Sequence, residues 1–407
     1  MSPSSQRHPS APVDGHGAPP TPAWPERRPA RTVGPAARHG RAWSGVGTVA
    51  AFVLCSVVLV LVGVWLAGRL GPETLFVVGL LALVPLGICA AGLWWVDRWD
   101  PEPKSALGLA VVWGAGASVV LTLLVAEAVT MPLAVLAPAA DAELLGAVVQ
   151  APLVEELAKG LGVLLVFLVA WSHFDGPIDG IVYGGAVGAG FAFTENILYF
   201  SGAVAESGSE ALSVFVMRGL LSPFAHVLFT AWTGFALGLA ASRGARGRWP
   251  LYFLLGLVPA IAGHFLWNGG LALLFQDFWS FYVMLQMPLF ACAVAAVWML
   301  RRAERRLTER RLGDYRDAGW FTDEEVEMLA TGPGRRAAAA WARRYGAGGL
   351  MRDFAGSAAR LAAVRHRILR GHGVDAARAE ETRLLSLALR QRQQLLAQVG
   401  APRSGGA

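Results

Sequence analysis

Apolar residues run through this chain in long blocks rather than in the alternating or three-to-four spacing of a soluble fold. Blocks near the roughly 20 residues that cross a bilayer as a helix lie at 46–68, 74–96, 105–126, 144–171, 178–201, 213–241, 250–275 and 279–300. The pattern predicts an all-α polytopic membrane protein of about eight transmembrane helices. Composition agrees: of 407 residues, 55% are hydrophobic and 16% charged, which excludes an ordinary soluble domain.

The gaps between blocks set the expected orientation, because Lys and Arg are retained on the cytoplasmic side. Arg27, Arg28, Arg31, Arg38 and Arg41 precede the first block; Arg243, Arg246 and Arg248 follow the sixth; "RRAERRLTERR" follows the last. Segments 127–143, 202–212 and 276–278 contain neither Lys nor Arg. An even number of spans with both termini cytoplasmic satisfies all of these, so the expected location is the plasma membrane, multi-pass.

Three regions follow. Residues 1–42, rich in Pro, Ser, Arg and Ala without periodicity, read as a disordered cytoplasmic arm. Their length and proline content do not suit a signal peptide, so the first helix is expected to be retained. Residues 43–300 form the transmembrane domain. Residues 301–407 read as a cytoplasmic helical tail, with amphipathic segments such as "ETRLLSLALRQRQQLLAQ" broken at "TGPGRR" and "YGAGG".

The net charge of +6 resides mainly in the two tails. With no nucleic-acid motif present, it is read as positive-inside charge in contact with anionic lipid. Cys55, Cys89 and Cys292 all fall in predicted spans without a CxxC pair, which argues against a disulfide framework or a cysteine-based zinc site.

Against this background, "APLVEELAKG" at 151–160 stands out, with Glu155, Glu156 and Lys159 inside an apolar block. A charged residue at a helix centre costs about 2.5–3.5 kcal/mol on insertion scales, so three need a reason. The other ionisable residues in the spans are Glu195, His226 and His264, with Arg218 near enough to an end to snorkel. At about 1.5 Å per residue from the outer ends, Glu155, Glu195, His226 and His264 reach depths of roughly 10–20 Å, on helices running in both directions.

Spacing of four also places them on faces with small residues: Gly180, Gly184, Gly188, Ala192 and Asn196; His226, Thr230, Gly234 and Gly238; Gly256, Ala260, His264 and Asn268. Such stripes are helix-contact faces, so the polar groups are expected to look inward. Glu155 precedes Lys159 by four, the favourable order for an ion pair. One lysine offsets one of two adjacent carboxylates and leaves the other to take a proton from water. His226, His264 and Asn268 can polarise a carbonyl, or the histidines can join glutamates as metal ligands. The bland readings are an interhelical Glu–Lys lock, hydrogen-bonded interior histidines, Asn196 and Asn268 as interhelical hydrogen bonders, and Tyr199 and Trp267 as packing aromatics.

These residues carry a resemblance. "DRWDPEP" at 97–103, "APLVEELAKG", "DGIVYGGAVGAGFAFTENILY" at 179–199, "HVLFTAWTGFALG" at 226–238 and "AGHFLWN" at 262–268 together resemble the PrsW family of intramembrane proteases, distantly similar to CAAX-prenyl proteases. The resemblance covers about 94–270 and implies an active site of Glu155, Glu156, Glu195, His226, His264 and Asn268, supported by Lys159 and Asn196. It implies that Glu155 or Glu156 activates water while His264 and Asn268 hold the oxyanion. Where Glu195 closes an FxxxE motif, CAAX-protease relatives have histidine.

The cofactor stays open between zinc, with Glu156, Glu195, His226 and His264 as candidate ligands, and a metal-free glutamate mechanism, to which the balance leans because no HExxH is present. The implied partner is a membrane-protein substrate, for example a single-span anti-sigma factor cut during envelope stress, in the lipid bilayer and without nucleic acid. Two other classes compete: a proton-coupled transporter, against which the lack of visible inverted repeats counts, and a noncatalytic membrane scaffold. The "DRWDPEP" loop is expected as a cytoplasmic interfacial turn in which Pro103 opens the third helix.

Overall fold

A computed structural model describes residues 36–136, 143–170, 174–371 and 374–400. The expected arm up to residue 35, the 137–142 part of the unbasic segment and residues 401–407 lie outside the described residues. Helices make up the fold, and there is no strand among the described residues. The apolar blocks become α1 (Ala36–Leu70), α2 (Pro72–Asp97), α3 (Lys104–Ala126), α4 (Ala151–Val169), α5 (Pro177–Glu206), α6 (Ala225–Ser242), α7 (Trp249–Gly269) and α8 (Met287–Asp317). The tail adds α9 (Asp323–Ala330), α10 (Gly332–Arg344), α11 (Gly348–Leu369) and α12 (Val374–Gly400).

Among the described residues, seven helical stretches are long and apolar enough to cross a membrane. The expected count is eight, and the difference is α4: it is long and apolar enough on average, but Glu155, Glu156 and Lys159 put three charges into its 19 residues. Two segments expected as loops are mostly helical. Helix runs to Leu136 inside the 127–143 segment, and 202–212 holds only a break at Ser207, whose hydroxyl accepts from the Glu210 amide and restarts the chain as helix.

The most buried span, α5, forms the hub. It packs antiparallel on α6 through the stripe of small residues, because lipid offers no hydrophobic drive and close backbone approach must supply the contact. Gly180 faces Gly234, Gly184 faces Thr230 and Gly188 faces His226 in one unbroken register; a Cβ on Gly184 would lie 2.6 Å from the Thr230 carbonyl oxygen. On its other side α5 meets α2 and α3, where Gly190 faces Val111 and Gly185 faces Leu93.

Gly234→Val therefore drives a branched side chain into the Gly180 backbone, and overpacking of this kind costs about 1–3 kcal/mol or more. Thermal aggregation in detergent should show a clear loss for Gly234→Val. Little change is expected for Gly79→Val on α2, where an added Cβ meets nothing within 4 Å.

The 97–103 loop is tied down rather than loose. Asp97 accepts from the Glu102 amide at 3.0 Å, and Tyr183 on α5 donates to Glu102 at 2.5 Å. Burial raises the Glu102 carboxyl well above its ordinary value, and Asp179 adds to the rise. Pro103 sits at the N-cap of α3 rather than at its first helical residue, one position before the expected place. The tail closes its own apolar core around residues such as Leu312, Leu329, Phe354 and Leu361, and α8 runs unbroken from the membrane domain into it.

Candidate active site

Four helices deliver the polar residues to one place. On α4, Glu155, Glu156 and Lys159 are all buried, Lys159 and Glu156 completely. The Lys159 ammonium lies 2.6 Å from Glu156 Oε1, 3.4 Å from Glu155 Oε2 and 3.0 Å from His226 Nδ1, and 4.2 Å above the Phe191 ring. Its three N–H donors thus have three acceptors, which assigns the bare lone pair of His226 to Nδ1. The hydrogen of that ring is then on Nε2, which donates to Glu195 Oε2 at 2.7 Å.

The second histidine is held the opposite way. His264 Nδ1 lies 3.1 Å from Glu156 Oε1; an ionised carboxylate only accepts, so Nδ1 carries the hydrogen and Nε2 is bare. Nε2 is 3.9 Å from Glu155 Oε2. Thr230 donates to the remaining oxygen of Glu156 at 3.1 Å, and Phe229 stacks on the His264 ring. Glu156 is therefore saturated by Lys159, His264 and Thr230. Glu155, with one long ion pair, faces a cavity of about 120 Å³ lined also by Glu195, His226, His264 and Asn268.

The expected site residues all meet here, with different duties. Asn196 accepts from Arg218 Nε at 3.2 Å, and Asn268 donates to the Ala147 carbonyl at 2.8 Å while lining the cavity. Donor atoms of Glu155, His226 and His264 lie within 4.8 Å of one another, a set of the kind zinc takes. Of the four residues considered as ligands from sequence, His226 and His264 belong to this set. Glu155 completes it, while Glu156 and Glu195 are engaged with Lys159 and Arg218.

Arg218 was read from sequence only as a snorkelling residue. It donates to Glu195 at 2.5 Å and stacks 3.8 Å over Tyr199, so Tyr199 also belongs to the cavity wall. The one available signal was an arginine facing a span that contains a lone glutamate. Arg218→Gln is expected to lower kcat/KM by about 10–100-fold, the usual cost of losing a group that orients a site residue. Arg218→Lys, which keeps the charge without the planar fork, should recover part of it. Steady-state cleavage by purified variants checks both.

Wide helical turns with i→i+5 bonding border the site. Gly146–Gln150 leads into α4 and carries Ala147; Phe215–Leu221 carries Arg218; Gly270–Leu274 follows Asn268. Such turns recur at functional sites because they re-aim side chains within a helix.

Comparison with known proteins agrees with the geometry. Residues 102–293 match the profile described as PrsW family intramembrane metalloprotease. Protease PrsW of Clostridioides difficile (strain 630) is 33% identical over 186 residues, 45% of this chain and 74% of that protein. Protease PrsW of Geobacillus kaustophilus (strain HTA426) is 33% identical over 149 residues, 37% of this chain and 59% of that protein. Protease PrsW of Bacillus subtilis (strain 168) is 37% identical over 99 residues, 24% of this chain and 42% of that protein. No solved structure matches. The matched region contains every span that contributes to the buried Glu–His–Lys cluster but not the helical tail, and on that region the chain belongs to the PrsW family of intramembrane proteases.

Proposed function

We propose that this chain is an endopeptidase that cuts a single-span membrane-protein substrate, such as an anti-sigma factor, with Glu155 as the residue on which hydrolysis depends. The observation that carries the reading is the meeting of Glu155, His226 and His264 at a small cavity between α4, α6 and α7. Glu155 takes a proton from a water in the cavity, the water oxygen adds to the scissile carbonyl carbon, and the C–N bond breaks as Glu155 returns the proton to the leaving amine. Asn268 spends one amide hydrogen on Ala147 and keeps a second for the developing oxyanion. Lys159 and Glu156 hold the frame without touching substrate.

A second reading rests on the same three side chains. Glu155, His226 and His264 fit zinc in kind and proximity, and His264 fits best, its Nδ1–H held by the Glu156 carboxylate and its Nε2 bare. His226 fits once its Nδ1 is released from Lys159. Held by Glu155, His226 and His264, zinc would supply Lewis acidity at the cavity.

Metal analysis of the purified chain separates the readings. Stoichiometric zinc that falls in both His264→Ala and Glu155→Gln supports the second, whereas full activity without metal above background removes it. For the substrate, new protein N-termini are profiled in membranes carrying wild type or Glu155→Gln. A membrane-protein cleavage present only with wild type names the candidate. Identical profiles at equal protein levels, under several envelope stresses, count against the proposal and for a carrier or scaffold.

A further inference from the structure

A second cavity, of about 500 Å³, lies where the 97–103 loop meets the tail, far in sequence from the catalytic helices. Its wall contains Arg98, Arg305, Arg335, Arg336, Arg343 and Arg352 and no carboxylate. These come from four separate pieces of chain: the loop after α2, the extension of α8, and α10 and α11. The convergence is close. A Cβ on Gly332, in the first turn of α10, would lie 3.4 Å from Nη1 of Arg336 and 3.6 Å from Nη1 of Arg305, so two guanidinium groups crowd one helix N-terminus, itself a site of positive potential.

The arginines are not equivalent. Arg335 is structural: it donates to the carbonyls of Trp99, Leu329 and Ala355 and stacks 3.6 Å over the Trp99 ring. Its charge is answered by Asp100 and Glu304, which hold the guanidinium up against burial that pulls it down to about 10. Arg336, Arg343 and Arg352 are exposed and have no ion-pair partner among the described residues. Behind the wall, Nε1 of Trp99 and Nε of Arg305 are buried and have no hydrogen-bond acceptor among the described residues. Buried donors normally find an acceptor, and each exception needs an explanation.

We propose that this cavity binds a phosphate-bearing anion. Guanidinium groups gathered from several pieces of chain match phosphate oxygens in geometry and charge. A volume of this size accommodates a phosphate group with its substituent. Two sources present that chemistry. One is the head group of an anionic phospholipid, because Arg98 directly follows the α2 span at the membrane boundary; the other is a soluble phosphate compound. In either case the anion bridges the membrane domain and the tail, adding to the Arg335 contacts with Trp99 and Asp100 that already join them.

The test uses the full chain in uncharged detergent, as wild type and as the triple variant Arg336→Gln, Arg343→Gln, Arg352→Gln. Native mass spectrometry measures retention of phosphatidylglycerol against phosphatidylcholine, and thermal shift measures the response to pyrophosphate at constant ionic strength. Wild type is expected to hold its anion at least about tenfold more tightly than the triple variant, and the variant, relieved of repulsion, to melt no lower than wild type without ligand. Selective retention of phosphatidylglycerol assigns the lipid source, and a pyrophosphate response without it assigns the soluble one. Equal binding by both proteins, or binding of neither probe by wild type, overturns the proposal. Should the triple variant fail to accumulate, Arg352→Gln alone is read against the same criteria, with at least a severalfold loss expected.

Discussion

Glu155→Gln leaves a protein that accumulates and melts like wild type but cleaves at least about 10²-fold more slowly. The size follows from what general bases contribute, typically 10²–10⁴-fold. The retained stability follows from the surroundings: Glu155 makes one long ion pair at 3.4 Å and otherwise faces the cavity, so an isosteric amide leaves no partner stranded. Glu156→Gln is the informative contrast. Glu156 is sealed and bonded to Lys159, His264 and Thr230, and its neutralisation leaves Lys159 with Glu155, at the longer distance, as its one carboxylate within ion-pair reach among the described residues. Its loss of activity should therefore track a loss of folded protein. Turnover per folded molecule, with folded protein quantified by size exclusion, decides the matter. A well-folded Glu156→Gln that cannot cleave, beside a Glu155→Gln that can, would exchange the roles of the two carboxylates.

That contrast was out of reach from sequence, and the reason is physical. Adjacent residues on a helix point about 100° apart, so one of two neighbouring glutamates must turn away from any given cavity. Which one turns away depends on where the partner helices sit. Spacing did mark the contact faces: the stripes Gly180, Gly184, Gly188 and His226, Thr230, Gly234 meet because small side chains leave only backbone to pack against, whereas which residue opposes which is set by the folded helices. Span number was less legible, since the charges that mark α4 as functional also remove it from the apolar class.

The wide turns left no trace either. An i→i+5 turn has no residue signature of its own and arises where tertiary contacts reward the extra residue, as at Gly146–Gln150, where Ala147 receives Asn268. The bond from Arg218 to Glu195 was hidden for a related reason. A side chain that long acts several ångströms from its Cα, and linear position says little about where its guanidinium ends.

Lys159→Met is expected to be the most destabilising single change in the membrane domain. Removing one partner of a buried ion pair costs about 3–5 kcal/mol, because the remaining charge is left uncompensated. Here one ammonium serves both Glu155 and Glu156 and also supplies the donor for His226 Nδ1. Met fits the volume and rests as well against Phe191, so the loss reports charge rather than packing. The double variant Lys159→Met, Glu156→Gln removes one of the stranded carboxylates and should recover a large part of the folded yield. Activity should stay low in the double variant, because His226 has lost the donor that fixes its tautomer. Folded fraction against temperature for wild type, both single variants and the double variant closes the cycle, and the coupling between positions 156 and 159 should be clearly nonzero. If Lys159→Met melts with wild type, the carboxylates are not both ionised in the folded protein. The lysine would then be an electrostatic contributor to the reaction rather than the counterion that allows two glutamates to lie side by side in the bilayer.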